Sequence, residues 1–102
     1  AVVPQWITPS VKETILVSNS HSGSLFEVGQ HGFSHSNRST RGRYCEFGED
    51  RAYSEQIADI QKGQSILQSH FSGCWASAFS PPYHAFDENT LAALDACQFK
   101  IF

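Results

Sequence analysis

Several features that would place a chain of 102 residues in a specialised class are missing from this one. No apolar run approaches the roughly 20 residues that a bilayer-spanning helix needs, so the sequence does not predict a membrane span. Lysine and arginine total seven against ten aspartates and glutamates, and they form no basic stripe. Because nucleic acids and anionic lipids attract basic patches, we expect neither nucleic acid nor membrane as a partner.

Cysteine is sparse and methionine is absent. Cys45, Cys74 and Cys97 are widely spaced and odd in number, which predicts buried thiols rather than a disulfide framework or a Cys-x-x-Cys zinc site. The chain has no initiator methionine and ends in an apolar, strand-like segment at residues 99–102. We therefore expect residues 1–102 to form a single partial domain, with both termini internal to a longer protein.

Short apolar runs alternate with amphipathic segments along the chain. The clearest helical period begins near Asp50 and places its apolar residues on one stripe, namely Tyr53, Ile57, Ile60, Leu67 and Phe71. Strand patterns lie at residues 1–4, 25–29, 75–79 and 99–102, and the third of them stops at Pro81-Pro82. Helical patterns lie at 9–17 after a Thr8 N-cap, at 50–71 before Gly73, which suits a left-handed cap, and after an Asp87 N-cap. This β-α-β-α-β-α-β order predicts an α/β fold with a parallel sheet, either open or part of a barrel.

Polar residues follow the second and third predicted strands. His31 and His35 come after the second strand, and Pro82, Tyr83 and His84 come after the third. Sites in parallel α/β folds collect at the carboxyl ends of the strands, so we expect these two groups to face one another. Two histidines four positions apart can bind one ion if the backbone turns helically between them. The sequence therefore predicts a metal site.

The same residues resemble a known family. His31-Gly-Phe-Ser-His35 is similar to the His-x-x-x-His metal motif of polysaccharide deacetylases, the NodB-homology or carbohydrate esterase family 4 group. Phe79-Ser-Pro-Pro-Tyr83 resembles that family's later Arg-x-Pro-Tyr motif, and Cys45-Glu-Phe-Gly48 with the helix after it extends the resemblance over nearly the whole chain.

The resemblance implies a distorted (β/α) barrel, of which this chain would be the central part. It also implies one divalent metal, typically Zn²⁺, held by an aspartate and two histidines, and removal of acetyl groups from a polysaccharide or related amide by metal-activated water. His31 and His35 would be the metal ligands. Tyr83 and Pro82 would face the substrate, with a backbone N–H near Tyr83 as an oxyanion donor.

The departures from the family pattern concern catalysis. The resemblance places the base aspartate before Ala1 and the acid histidine after Phe102, so no catalytic residue is expected in this chain and the isolated chain is expected to be inactive. Ser80 stands where many members carry an arginine that orients the base. Gly32 replaces a serine or threonine, which affects only the expected rigidity of the loop.

Other polar residues have two interpretations each. His84 either lines the cleft or faces solvent, and Glu46 is either a substrate contact or a solvated group or loop anchor. Arg38, Arg41 and Arg43 either meet an acidic saccharide or are simply solvated. We expect structural roles for His21 and His70.

Two alternative functions remain open. One is a non-catalytic carbohydrate-binding or scaffold domain of the same fold, which Ser80 favours. The other is a hydrolase of a small amide. An open groove beside Tyr83 would favour a polymer, and a capped pocket would favour the small amide. The sequence leaves open the substrate, the metal, the oligomeric state and the compartment. For the compartment, the two alternatives are a bacterial cytoplasm and a cell envelope.

Overall fold

A computed structural model describes residues 1–21, 27–40, 42–48 and 51–101, with the side chains of 19–21 and 101 left out. Within these ranges helices alternate with strands, in the order α1 (Pro9–His21), β1 (Val28–His31), α2 (Tyr53–Phe71), β2 (Trp75–Ser80), α3 (Glu88–Ala96) and β3 (Lys100–Ile101). Short 3-10 turns occur at Pro4–Trp6 and Pro82–His84. The predicted α/β fold is confirmed.

The three strands form one parallel sheet in the order β1-β2-β3. Val2 extends the sheet beyond β1 through a single parallel bridge to Gln30, with the Val2 N–H donating to the Gly29 carbonyl at 2.8 Å. The predicted first strand is therefore reduced to this bridge. Because neighbouring strands are parallel, the residues that follow β1 and β2 emerge at the same edge of the sheet.

Several boundaries differ from the sequence predictions. Helix α1 begins at Pro9 as predicted, with the Thr8 hydroxyl accepting a hydrogen bond from the Val11 N–H at 3.1 Å, but it continues to His21. A left-handed cap at Gly73 was expected after α2, but positive φ is not found there. The chain instead makes a tight turn in which the Cys74 N–H donates to the Phe71 carbonyl at 2.9 Å. The predicted strand start at residues 25–26 lies outside the described residues.

Helix α2 covers one face of the sheet. Ile60, Leu67 and Phe71 on its predicted stripe are buried, whereas Tyr53 at its start is exposed. One buried cluster lies near the carboxyl edge of the sheet and consists of Phe33, Phe47, Ile60, Phe79, Ala93 and Leu94. Burial of this apolar surface stabilises the fold and fixes the base of the loops that follow β1 and β2.

The other face of the sheet carries small side chains. Gly29 of β1 and Ala76, Ala78 and Ser80 of β2 line a cavity of about 620 Å³ on this face. Among the helices of the described ranges, none is both long enough and apolar enough to cross a membrane.

Candidate functional site

His31 is the last residue of β1 and lies opposite Ser80 of β2 in the sheet register. Its Nδ1 lies 2.9 Å from the Ser80 carbonyl oxygen and 2.8 Å from Ser80 Oγ. A carbonyl can only accept, so we assign the proton to Nδ1, which leaves the Nε2 lone pair for another partner. Burial lowers the pKa of His31, although the hydrogen bond to Ser80 acts in the opposite direction. A neutral imidazole is the form that binds metals.

The turn from His31 to His35 is not helical, so the condition under which the sequence spacing alone would bring the two rings together is not met. Gly32 has a φ of 63° and His35 a φ of 54°, so two residues of the turn are left-handed. The turn nevertheless brings the two imidazole centroids to 5.0 Å, with the rings tilted by 52°. Two imidazoles on one tetrahedral zinc, with metal–nitrogen distances of about 2.1 Å, have centroids about 5 Å apart. The centroid separation of His31 and His35 is therefore in the range that a shared zinc ion requires.

Aromatic rings surround His35 at this edge of the sheet. Trp6 stacks on the His35 ring at 5.6 Å between centroids, and the Tyr83 ring lies 4.7 Å away on another side. The Tyr83 hydroxyl donates to the His35 carbonyl at 3.0 Å. Tyr44 meets Tyr83 edge-on at 5.8 Å, and 61% of Tyr44 and 59% of Trp6 are exposed. The loops after β1 and β2 thus face one another, as the parallel arrangement predicts.

The Pro82–His84 turn has a tightly defined backbone. Tyr83 and His84 both have positive φ, at 60° and 53°, and Arg43 Nη2 donates to their carbonyls at 3.4 and 3.5 Å. The His84 and Ala85 N–H groups bond to carbonyls of the same turn, whereas the Tyr83 N–H has no hydrogen bond to any described residue. His84 is exposed and Pro82 is fully buried.

Glu46 is fully buried beneath the His31–His35 turn. Its carboxylate accepts hydrogen bonds from the backbone N–H groups of Phe33, Ser34 and His35, and the Ser34 hydroxyl lies 3.1 Å from Oε2. Of the interpretations left open for Glu46, the structure favours the loop anchor. In the sequence, the apolar neighbours Cys45 and Phe47 indicate that the segment around Glu46 is buried. They do not indicate which backbone groups the carboxylate binds.

Gly32 is packed too tightly to accept a side chain. A Cβ atom at this position would lie 2.1 Å from Glu46 Oε1 and 2.4 Å from Pro82 Cγ. Together with the positive φ, this contact makes glycine the residue that the turn requires. The departure from the family's serine or threonine at position 32 is therefore accompanied by close packing of this turn, which the missing Cβ allows.

The described part of the chain contains no cluster of three or more histidine, cysteine, aspartate or glutamate side chains that could hold a metal ion. His31 and His35 therefore form a pair of nitrogen donors for a metal ion, with no third such side chain clustered with them among the described residues. A second cavity of about 490 Å³ lies between the 43–48 segment and the 84–87 segment, with Arg43, His84 and Phe86 among its lining residues. Arg41 lies outside the described residues.

The chain is similar to a known protein family. A family model described as polysaccharide deacetylase matches residues 7–102, a range that includes both histidines, Pro82 and Tyr83. Searches of curated proteins and of solved structures find no match.

Proposed function

The chain belongs to the polysaccharide deacetylase family, and on that premise we propose that it is part of a metal-dependent hydrolase that removes acetyl groups from a polysaccharide or a related amide. The observation that carries the metal dependence is the His31–His35 pair, with ring centroids 5.0 Å apart at the carboxyl edge of a parallel sheet. Catalytic sites in parallel α/β folds occupy this edge.

In the proposed site, His31 and His35 hold the ion, with Zn²⁺ as the first candidate because it favours nitrogen donors in tetrahedral geometry. The bound ion would supply a Lewis acid that lowers the pKa of water to about 7 and polarises the acetyl carbonyl. The Ser80 carbonyl orients His31 by accepting a hydrogen bond from Nδ1–H, as partners of metal-binding histidines usually do. The third ligand and the proton-transfer groups that the family implies are not assigned to described residues.

Tyr83 is proposed as the substrate-facing residue of the site. Its N–H lacks a hydrogen-bond partner among the described residues, so it is available to donate to the oxygen that gains charge during acetyl transfer. Pro82 is also part of the proposed substrate and oxyanion region, but it is fully buried beside Gly32. We therefore expect Pro82 to shape the Tyr83 turn rather than to touch the sugar.

The exposed rings of Trp6 and Tyr44 support a saccharide substrate. Both rings lie against residues of the candidate site, and aromatic faces of this kind pack against the apolar faces of sugar rings. The exposure of both rings favours an open surface, and with it a polymer, over a small capped amide. The small residues Gly29, Ala76 and Ala78, on the face of the sheet opposite α2, suit the interior of a barrel, so we extend the proposal to the (β/α) barrel that the family implies.

The test compares the protein in its native form with His31→Ala and His35→Ala. We expect each substitution to remove one nitrogen donor and to lower zinc affinity by more than the roughly 10–100-fold that loss of an outer-shell partner costs. Bound zinc per chain is measured after dialysis, and acetate release from an acetylated oligosaccharide is measured in parallel.

His70→Ala is the matched control, because it removes an imidazole from the last turn of α2, away from the carboxyl edge of the sheet. Full zinc occupancy in both His31→Ala and His35→Ala would show that these residues are not the ligands. Zinc binding without acetate release would instead support the scaffold interpretation, for which the serine at position 80 is the supporting observation.

A further inference from the structure

The carboxylate of Glu46 occupies the centre of the turn that separates the two histidines. Phe33 and His35 donate their N–H groups to Oε1 at 3.2 and 3.1 Å, and Ser34 donates its N–H to Oε2 at 2.8 Å. Three successive N–H groups that converge on one point form an anion-binding concavity. In this chain the anion is a side chain from 11 to 13 residues further along.

The turn depends on distant partners because it makes no helical hydrogen bonds of its own. The Gly32 carbonyl accepts from Gln30 Nε2 at 3.0 Å, the Phe33 carbonyl accepts from the Gln5 N–H at 3.0 Å, and the His35 carbonyl accepts from the Tyr83 hydroxyl. Glu46 is the acceptor for the N–H groups of Phe33, Ser34 and His35. Buried backbone groups need partners, so the turn would lose its conformation without this acceptor.

The segment that carries Glu46 is itself held from two sides. Asn37 Oδ1 accepts from the Cys45 N–H at 3.0 Å, and the Arg38 N–H donates to the Cys45 carbonyl at 2.6 Å. On the other side, Arg51 Nη1 donates to the Glu46 carbonyl at 3.3 Å. These hydrogen bonds hold the backbone at Glu46 in place, and this fixes the position of the carboxylate in the turn.

We infer that Glu46 is a positioning residue for the metal centre: it ligates nothing, and by accepting the His35 N–H it holds the His35 ring beside His31. This role rests on the proposed function. His35 has a left-handed backbone, which is uncommon for residues other than glycine, and such conformations persist where surrounding contacts impose them. The placement of the ring follows from that backbone.

The experiment uses Glu46→Gln, which keeps the side-chain size but puts an NH₂ group among the three N–H donors. Two readouts are made on the metal-free protein: hydrogen exchange of the Phe33, Ser34 and His35 amides, and the nuclear Overhauser contact between the two imidazoles. A third readout is zinc affinity by calorimetric titration. We expect at least tenfold faster exchange at these amides, loss of the ring contact and a zinc affinity about 10–100-fold lower.

Two controls separate positioning from general stability. Glu13→Gln removes an exposed carboxylate from α1 and is expected to change none of the readouts. Phe47→Leu reduces a fully buried ring next to Glu46 and is expected to lower stability while the amides, the ring contact and zinc affinity are retained. If Glu46→Gln does not fold, Glu46→Asp replaces it, with a shorter carboxylate and an expected loss of the same sign.

The positioning role is overturned if Glu46→Gln keeps both the amide protection and the ring contact. It is also overturned if Phe47→Leu weakens zinc binding as much as Glu46→Gln does. If the unsubstituted protein binds no zinc, the metal centre of the proposed function fails, while exchange and the ring contact still decide whether Glu46 places His35.

Discussion

Gly32 combines an unusual backbone conformation with an unusually close environment. Its φ of 63° lies in the left-handed region, and the space where a Cβ would lie is taken by Glu46 Oε1 and the Pro82 ring. Gly42 shares the first property without the second, because its φ is 74° but nothing lies within 4 Å of its Cβ position. The two glycines therefore separate the effect of backbone strain from that of steric overlap.

We predict that Gly32→Ala lowers the free energy of unfolding by about 3 kcal/mol, since left-handed strain adds about 1–2 kcal/mol and overpacking adds a further 1–3 kcal/mol. Gly42→Ala is expected to lose only about 1–2 kcal/mol, from strain alone. Urea unfolding of the two variants measures both values. Equal losses in the two variants would show that packing around Gly32 adds nothing.

At the scale of the elements, the start of α3 is the best-defined helix end in the described residues. Asp87 Oδ1 accepts from the Thr90 N–H at 2.9 Å and the Asp87 N–H donates to the Thr90 hydroxyl at 3.1 Å, which is a capping box. The same carboxylate accepts from Gln56 Nε2 of α2 at 3.3 Å. The cap therefore also joins α3 to α2.

We predict that Asp87→Ala lowers the free energy of unfolding by about 1–2 kcal/mol, because it removes an N-cap whose typical contribution is of this size. Asp95→Ala is the control, because Asp95 is an exposed aspartate near the other end of the same helix, where a negative charge is unfavourable. Chemical denaturation followed by far-ultraviolet circular dichroism measures the change. A loss in Asp95→Ala as large as in Asp87→Ala would contradict the capping role.

At the scale of the whole molecule, Phe79 connects three parts of the chain. It is fully buried on β2, and its ring meets Phe47 of the loop edge-on at 5.4 Å and Phe99 before β3 at 5.9 Å. Phe47 is the neighbour of Glu46, so the same core contact that stabilises the sheet also supports the loop beneath the candidate site. Loss of the Phe79 ring is therefore expected to lower the stability of the whole domain.

We predict that Phe79→Ala lowers the free energy of unfolding by about 3–5 kcal/mol, the usual loss when a buried phenylalanine is truncated. Because a domain of this size has a total stability of about 5–15 kcal/mol, the variant would be marginal at best. Phe86→Ala, at a residue that is 50% exposed, is expected to lose less than about 1 kcal/mol. Thermal unfolding compares the two, and a similar loss in both would contradict the central role of Phe79.

The fold class could be predicted from the sequence because the signals that indicate helices and strands lie within short segments of the chain. Apolar period, the Thr8 and Asp87 caps and the prolines after β2 predicted the elements, and the parallel sheet followed from their alternation. The candidate site was predicted only where residues form a motif, as at His31 and His35. The contact of Ser80 with His31, the stacking of Trp6 on His35 and the burial of Glu46 depend on long-range packing, which a single sequence does not reveal.

The close contact between Gly32 and Glu46 links the residues that these two positions can hold. With the backbone of this chain, a serine or threonine at position 32 would place a Cβ where Glu46 Oε1 lies, so the glutamate would have to move. Restoring the family's residue at position 32 by engineering would then require a smaller residue at position 46 and another acceptor for the three N–H groups. We therefore expect positions 32 and 46 to covary among homologues.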